Sequence, residues 1–368
     1  MACLTTIIPT YRRPHMLTRA IRSVLAQDFS DFEVHVCDDA SGDGTRETVE
    51  KLACRDRRIK YFCHPQRVGM MANFASGIER VQSPFFNFLN DDDFLLPGFF
   101  RAAASGFARM PQAKWFIGSL VNSDSRGRIS AVPAENWREG LNRPPEAFVK
   151  LAAPDTWMSW TAMVFSREVL ATTRGLDISL GHSADIDFEL RTAVRHPAVV
   201  CKHPCAVFLQ HPESATFQKG PAYLLAAFRR IDANVQCAIA AAESDGQIDR
   251  GAGDAMRHAM RSGLRARVFR AALVLARRDR SAMALEAADT LERHFSTPTL
   301  ARIVRLMAAE SAQGAAARSV FRVAHRLRSL WRPVRYSRYR PPVVRALDQA
   351  SHNHDAAAGP AEATIPVI

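Results

Sequence analysis

Residues 88–94 read FLNDDDF and set three carboxylates, Asp91, Asp92 and Asp93, directly behind an apolar run. An ionised carboxylate held away from water is costly unless it is paired or metal-bound, and neighbouring like charges raise that cost. The run is therefore either a solvated turn or a seat for a cation. Two further acidic stretches stand out: DDASGDGT at 38–45, with Asp38 and Asp39, and HSADIDFELR at 182–191, with Asp185 and Asp187. PTYRR at 9–13 adds an aromatic ring and two arginines, and LQHPESAT at 209–216 carries His211. CKHPC at 201–205 has half the spacing of a zinc site and no second half. SGDGT is neither a dinucleotide glycine fingerprint nor a P-loop, so neither loop type holds a nucleotide here.

The elements around these residues explain their placement. LTTIIPT (4–10), FEVHVCDDAS (32–41), IKYFCH (59–64) and FFNFL (85–89) read as strands. Between them, Pro14 to Leu25, Thr45 to Ala53 and Met70 to Val81 carry helical periodicity. This βαβαβαβ order predicts a mainly parallel sheet covered by helices, with ligands at the carboxyl ends of its strands. Three acidic or aromatic motifs fall at such ends, so one ligand can touch all three. Downstream, WFIGSLV (115–121) and WTAMVF (160–165) follow, then a loop leading into a helix over 185–195, and strands through VVCKHPCAVFLQH (199–211).

The chain has 368 residues, 47% hydrophobic and 23% charged, which fits a globular protein with a sizeable core. Its formal net charge of +12 suits an anionic partner without choosing among phosphate ligands, membrane surfaces and nucleic acid. Seven scattered cysteines favour a reducing compartment. We expect no signal peptide and no membrane span, hence a cytoplasmic protein.

Taken together, TIIPTYRR, VCDDASGDGT, FLNDDDFLLPG and GLDISLGHSADIDFELR resemble, in order and spacing, family 2 glycosyltransferases. The resemblance covers roughly residues 3–216. It implies an α/β GT-A fold: a single Rossmann-like nucleotide-binding domain with a mainly parallel mixed sheet. It also implies transfer of a sugar, with inversion, from a UDP- or dTDP-sugar to a hydroxyl of a carbohydrate or lipid-linked acceptor, as in surface polysaccharide or lipopolysaccharide synthesis. Mn²⁺ or Mg²⁺ would balance the leaving diphosphate. By this resemblance Asp92 is a metal ligand, with Asp93 and His211 beside it. Pro9, Thr10 and Tyr11 line the base, and Arg13 and Arg67 approach the phosphates. Of Asp38 and Asp39, Asp39 is expected to accept the N3 proton of the base. Asn73 lies over the donor, and Asn90 or Asp91 faces the ribose. Asn90 stands where the family usually has an acid. Asp185 is the expected general base, with Asp187 as fallback, and Ala184 replaces a family glutamate. Trp157 and Trp160 fall on the expected acceptor side.

From about 220, alanine and arginine dominate and helical spacing takes over. The expected divisions are a GT-A domain over 1–218, a basic helical region over 219–347 and a disordered tail over 348–368. Nine arginines and no acids lie between Arg318 and Arg345, with Val320, Phe321, Ala324, Leu327, Leu330 and Trp331 at helical spacing. Such a segment reads either as an anchor on an anionic membrane, on its inner face, or as a helix docked on the catalytic domain. Two rival readings are a non-enzymatic basic protein that binds membrane or nucleic acid, and a degenerate or hydrolytic nucleotide-sugar enzyme. The glycosyltransferase reading needs no nucleic acid, and the sequence carries no signal of oligomeric state.

Overall fold

The computed structural model describes residues 2–154, 158–211, 213–214, 222–277, 281–309, 311–330 and 335–355. Its first half alternates as expected: β1 (Leu4–Thr10), α1 (Pro14–Leu25), β2 (Phe32–Asp38), α2 (Thr45–Ala53), β3 (Ile59–Cys63), α3 (Met70–Glu79) and β4 (Phe85–Phe88). These strands pair in parallel in the order β3-β2-β1-β4. The sheet continues through β9 (Met163–Ser166), antiparallel to β4, then β6 (Trp115–Asp124) and β10 (Ala198–Gln210), which run parallel to each other. Short β5 (Phe94–Leu95) closes the path. The segment at 133–145 contributes β8 (Gly140–Asn142) against β10, and β7 (Ile129–Ala131) pairs with β6. β10 is one strand with a register shift between Val200 and Ala206, where Pro204 interrupts it.

β1 is buried along its whole length, as befits a central parallel strand covered on both faces. Helix α1 begins at Pro14, which is preorganised for a first helical turn, and buries Leu17, Ala20, Ile21 and Val24. Helix α3 presses on the sheet at Gly77, where an added Cβ would meet Ile7 Cγ2 at 2.5 Å. α4 (Phe99–Arg109), α5 (Glu146–Ala152), α6 (Val169–Thr173) and α7 (Ala184–Arg195) complete the first part.

The helical region holds α8 (Ala222–Ser244), α9 (Arg250–Arg277), α10 (Ser281–Arg293), α11 (Pro298–Ala308) and α12 (Ala312–Leu330). Its buried residues Ile231, Val235, Met256, Met260 and Val268 belong to the same apolar core as Phe86, Phe88, Trp115, Phe165 and Phe188. Packing therefore runs without a break across the division expected at 218. α13 (Arg340–Asp355) runs past Asp348, where a disordered tail was expected; the residues after 355 lie outside those described. Tyr339 and Val343 are buried against Phe94, Val121, Val207 and Leu209 at the β5–β10 edge. Of the two readings of the basic segment, residues 336–347 follow the docked one; Trp331 lies outside the described residues. Among the described residues no helix is long and apolar enough to cross a membrane.

Candidate active site

The carboxyl ends of β1, β2 and β4 open on a cleft of about 660 Å³. Pro9, Thr10, Tyr11 and Arg13 line it from the β1 loop, Asp39 from the β2 loop, and Asn90, Asp91 and Asp92 from the β4 loop. Arg67 and Asn73 line it from the α3 side, and Asp185 closes the opposite wall. Five stretches far apart in sequence thus meet at one place, three of them at strand ends as the strand-end rule predicts.

Two loops of the site carry strained backbone. Arg12 (φ 55°) and Ala40 (φ 57°) are left-handed without being glycine, a conformation that persists only where surroundings impose it. Ser41 imposes it on the first loop: its Oγ accepts the Arg12 N–H at 2.9 Å and its carbonyl accepts Arg12 Nε at 2.9 Å. Gly69, at φ 90°, lets the chain turn so that its N–H reaches Asp39 Oδ2 at 3.0 Å, while the Val68 N–H reaches Asp39 Oδ1 at 2.6 Å. Arg67 lies over the Tyr11 ring, with Cζ 4.2 Å from its centroid. A flat ring, a carboxylate and a guanidinium therefore share one end of the cleft.

The three acids of FLNDDDF separate. Asp92 Oδ2 lies 3.1 Å from Arg13 Nη1 and 3.1 Å from His211 Nε2, which reaches in from the end of β10. Asp91 accepts from Thr10 Oγ1 at 2.9 Å and meets Arg13 Nη1 at 3.4 Å. Burial and the neighbouring Asp92 charge push its carboxyl up to about 6, against the pull of Arg13. Asp93, expected at the metal, turns inward instead. It is fully buried and accepts from the Leu209 N–H at 2.9 Å, Thr161 Oγ1 at 2.9 Å and Asn90 Nδ2 at 2.8 Å. Burial, then the Asp92 charge, raise it to about 8. Asp93 braces the acidic loop onto β10 and does not line the cleft.

The expectation for Asp38 is corrected, and that for Asn73 is sharpened. Asp38 is buried off the cleft, where it accepts from the Ser41 N–H at 3.0 Å and from Tyr61 Oη at 2.5 Å. Asn73 lines the cleft, but its Nδ2 donates to the Cys37 carbonyl at 2.7 Å and its Oδ1 faces His64 Nε2 at 3.1 Å. It ties α3 to β2 and has its amide committed. Trp160 lines the cleft and is almost wholly buried, packed on Phe88 with centroids 4.2 Å apart; Trp157 lies outside the described residues.

Asp185 stands in the first turn of α7, half-buried at the cleft wall, where burial pushes its carboxyl up to about 7. Asp187, the fallback base, is fully buried and bound to Arg191 at 2.6 Å and to Asn234 Nδ2 at 3.0 Å, which withdraws it from that role. Sequence reasoning missed Arg19, a largely buried arginine of α1 whose Nη2 donates to the Asp92 carbonyl and whose charge faces Asp93, Asp92 and Asp91. An arginine on a helix face gives no sequence signal of this.

Among the described residues no three His, Cys, Asp or Glu side chains are arranged to hold an ion by themselves. Asp92 and His211 nonetheless meet at the cleft, one hard oxygen and one imidazole nitrogen 3.1 Å apart. That donor set fits Mn²⁺ or Mg²⁺ when a diphosphate supplies further oxygens.

A half-parallel sheet of order 3-2-1-4, with an acidic strand-end loop on a nucleotide-sized cleft, defines a GT-A-type domain. Residues 5–168 match the family model for glycosyl transferase family 2. It is 41% identical over 99 residues to a Campylobacter jejuni GalNAc(5)-diNAcBac-PP-undecaprenol beta-1,3-glucosyltransferase, a match covering 27% of this chain and 32% of that protein. An Escherichia coli UDP-Glc:alpha-D-GlcNAc-diphosphoundecaprenol beta-1,3-glucosyltransferase is 33% identical over 90 residues, covering 24% of this chain and 35% of that one. The matches thus span about a third of either relative. The Staphylococcus aureus TarS 1–349 crystal structure has the same fold at TM-score 0.54 and 15% identity, over 83% of this chain and 91% of that one.

Proposed function

We propose that the protein transfers a sugar from a UDP- or dTDP-sugar to a hydroxyl of a lipid-linked saccharide. The observation that carries this reading is the convergence of the β1, β2 and β4 loops and Asp185 on one cleft. The relatives with undecaprenol-linked acceptors in their names, and a TarS structure in complex with UDP-GlcNAc, support the choice of donor and acceptor.

Tyr11 offers its face to the base, and Asp39 beside it accepts the N3 proton that uracil and thymine carry and cytosine lacks. Arg67 and Arg13 approach the phosphates, and Asn90 or Asp91 faces the ribose. Asp92 and His211 would hold a divalent ion, which when bound neutralises the charge of the departing diphosphate. Asp185 takes the proton of the acceptor hydroxyl as that oxygen attacks the anomeric carbon from the face opposite the diphosphate, inverting it. A carboxyl near 7 suits this task, since a base works best when its pKa lies near the working pH. With no membrane-crossing helix among the described residues, a lipid-linked acceptor is met at a membrane surface, through peripheral contact.

The test is calorimetric titration with UDP, dTDP, GDP and CDP, with and without Mn²⁺. Metal-dependent binding of UDP or dTDP, weaker or absent for CDP, is the expected result. A folded protein that binds none of the four would overturn the reading and return attention to the arginine-rich segment.

A further inference from the structure

The turn that precedes β9 carries a chain of polar side chains into the cleft. β9 is antiparallel to β4, so the residues before Met163 lie at the carboxyl end of β4, beside Asn90. Trp160 fixes the turn there by packing on Phe88, the last residue of β4, and on Phe74 of α3, with centroids 4.2 Å and 4.7 Å apart. Ser159 Oγ lies 3.0 Å from Thr161 Oγ1, and Thr161 Oγ1 donates to Asp93 Oδ2 at 2.9 Å. Asn90 Nδ2 donates to the same Asp93 oxygen at 2.8 Å and lies 3.4 Å from Thr161 Oγ1. Thr161 and Asp93, in the middle of the chain, are wholly buried, whereas its two ends, Ser159 and Asn90, line the cleft.

Hydrogen-bonding capacity is left over at both ends. The Asn90 amide spends its Nδ2 on the chain, which leaves Oδ1, a pure acceptor. The Ser159 hydroxyl is bonded to Thr161, and whichever of the two donates, Ser159 Oγ keeps at least one lone pair. A ligand that satisfies both ends must bring hydrogens, as neighbouring hydroxyls of a sugar ring do. Sheet order separates the two ends of the donor. β1 and β2, with Tyr11 and Asp39, lie on one side of β4, and β9, with Ser159 ahead of it, lies on the other. Asp91 bonds toward the first side, through Thr10 Oγ1 at 2.9 Å, and Asn90 toward the second.

We propose that Ser159, together with Asn90, binds hydroxyls of the donor's sugar, so that Ser159 selects for a hydroxyl-bearing hexose and the ribose falls to Asp91. The inference rests on the nucleotide-sugar reading of the cleft. The buried partners hold both acceptors in place before the donor arrives, and a sugar that lacks the matching hydroxyl leaves one of them unpaired.

The experiment is calorimetric titration of the full-length protein, in Mn²⁺, with UDP, UDP-glucose, UDP-galactose and UDP-N-acetylglucosamine, wild type against Ser159→Ala. The readout is the affinity for each UDP-sugar divided by that for UDP. Ser159→Ala is expected to lower this ratio by about two- to tenfold for the sugar that wild type binds best, the worth of one net hydrogen bond, with UDP affinity and its Mn²⁺ requirement unchanged. If the alanine variant does not fold, Ser159→Cys keeps the side chain's shape with a much weaker acceptor. Equal weakening of UDP and the UDP-sugars would overturn the inference, because Ser159 would then serve the ribose or only brace Asp93. UDP binding with a ratio unchanged for every sugar would overturn this inference alone. Wild-type protein that binds none of the four ligands would remove the nucleotide-sugar reading, and the role of Ser159 with it.

Discussion

Asp185 and Asp187 stand two residues apart in the first turn of α7 and face opposite surroundings. Asp185 lines the cleft, while Asp187 is fully buried in an ion pair with Arg191. Their amide variants should therefore fail differently. Asp185→Asn should lose turnover by roughly 10²–10⁴-fold, the usual worth of a general base, with UDP affinity unchanged. Asp187→Asn leaves Arg191 buried without its partner charge, a loss on the order of 3–5 kcal/mol. It should lower the unfolding temperature, with activity falling only as folded protein is lost. Calorimetric melting and UDP release on both variants check the split; equal melting points would contradict it.

The elevated carboxyl of Asp185 fixes a pH profile. Below about 7 it is protonated and cannot take a proton, so kcat should rise with pH through that value. The stability effect has the opposite sign. A folded-state pKa above the unfolded one means that ionising Asp185 costs stability, progressively from about 4, the unfolded carboxylate value, up to about 7. Asp185→Asn should thus raise the melting temperature at pH 8, with the gain shrinking to nothing near pH 4. A gain that is constant with pH would exclude this cause.

The fold and the mouth of the site were legible because they are local in origin. Periodicity placed every strand of the β1–β4 set, and the strand-end rule then placed Tyr11, Asp39 and Asp92 on one cleft. What was not legible is decided by residues far along the chain. Three consecutive acids do not reveal which turns inward; for Asp93 the choice is made by the backbone N–H of Leu209 on β10. The Asp38–Asp39 pair divides because successive residues leave a strand on opposite sides, and Tyr61 on β3 claims the first. Arg19 looks in the sequence like any other helical arginine.

Metal dependence should map onto two side chains. Asp92→Ala removes the hard oxygen that meets His211 and Arg13, and Mn²⁺-dependent UDP binding should collapse. His211→Ala removes one ligand of a set completed by diphosphate, so affinity should fall by about 10–100-fold, with a higher Mn²⁺ requirement. Asp93→Asn keeps one acceptor oxygen for the Leu209 N–H, and its amide NH2 can donate to Thr161 Oγ1 in place of the bond lost there, so it should retain metal-dependent binding, which separates a brace from a ligand. Titration of all three at varied Mn²⁺ gives the ranking.

Donor choice is tested at Tyr11. Base–aromatic stacking is worth roughly 1–3 kcal/mol, so Tyr11→Ala should weaken UDP by about five- to a hundredfold while Tyr11→Phe keeps most of the affinity. Because Arg67 lies over the same ring and 3.8 Å from Asp39, Tyr11→Ala also frees Arg67, and the loss should shrink at high salt. A salt-independent loss equal in Tyr11→Phe would point to the hydroxyl instead.

The docked C-terminal segment offers two kinds of contact that can be told apart. Arg335 and Arg338 meet Glu135 at 3.1 Å and 3.0 Å, but both arginines are more than half exposed, and such pairs are worth about 0–1 kcal/mol. Val343 is wholly buried among Phe94, Val121 and Val207, and Tyr339 lies beside it. Apolar burial, not charge, should therefore hold α13 to the sheet edge. Val343→Asp puts a charge where nothing can pair it and should release the segment, so that trypsin cleaves at Arg338 and Arg345 many times faster. Glu135→Gln should change the cleavage rate little. If Glu135→Gln frees the segment and Val343→Asp does not, electrostatics holds it, and the arginines would be unavailable to an anionic membrane until that pairing is broken.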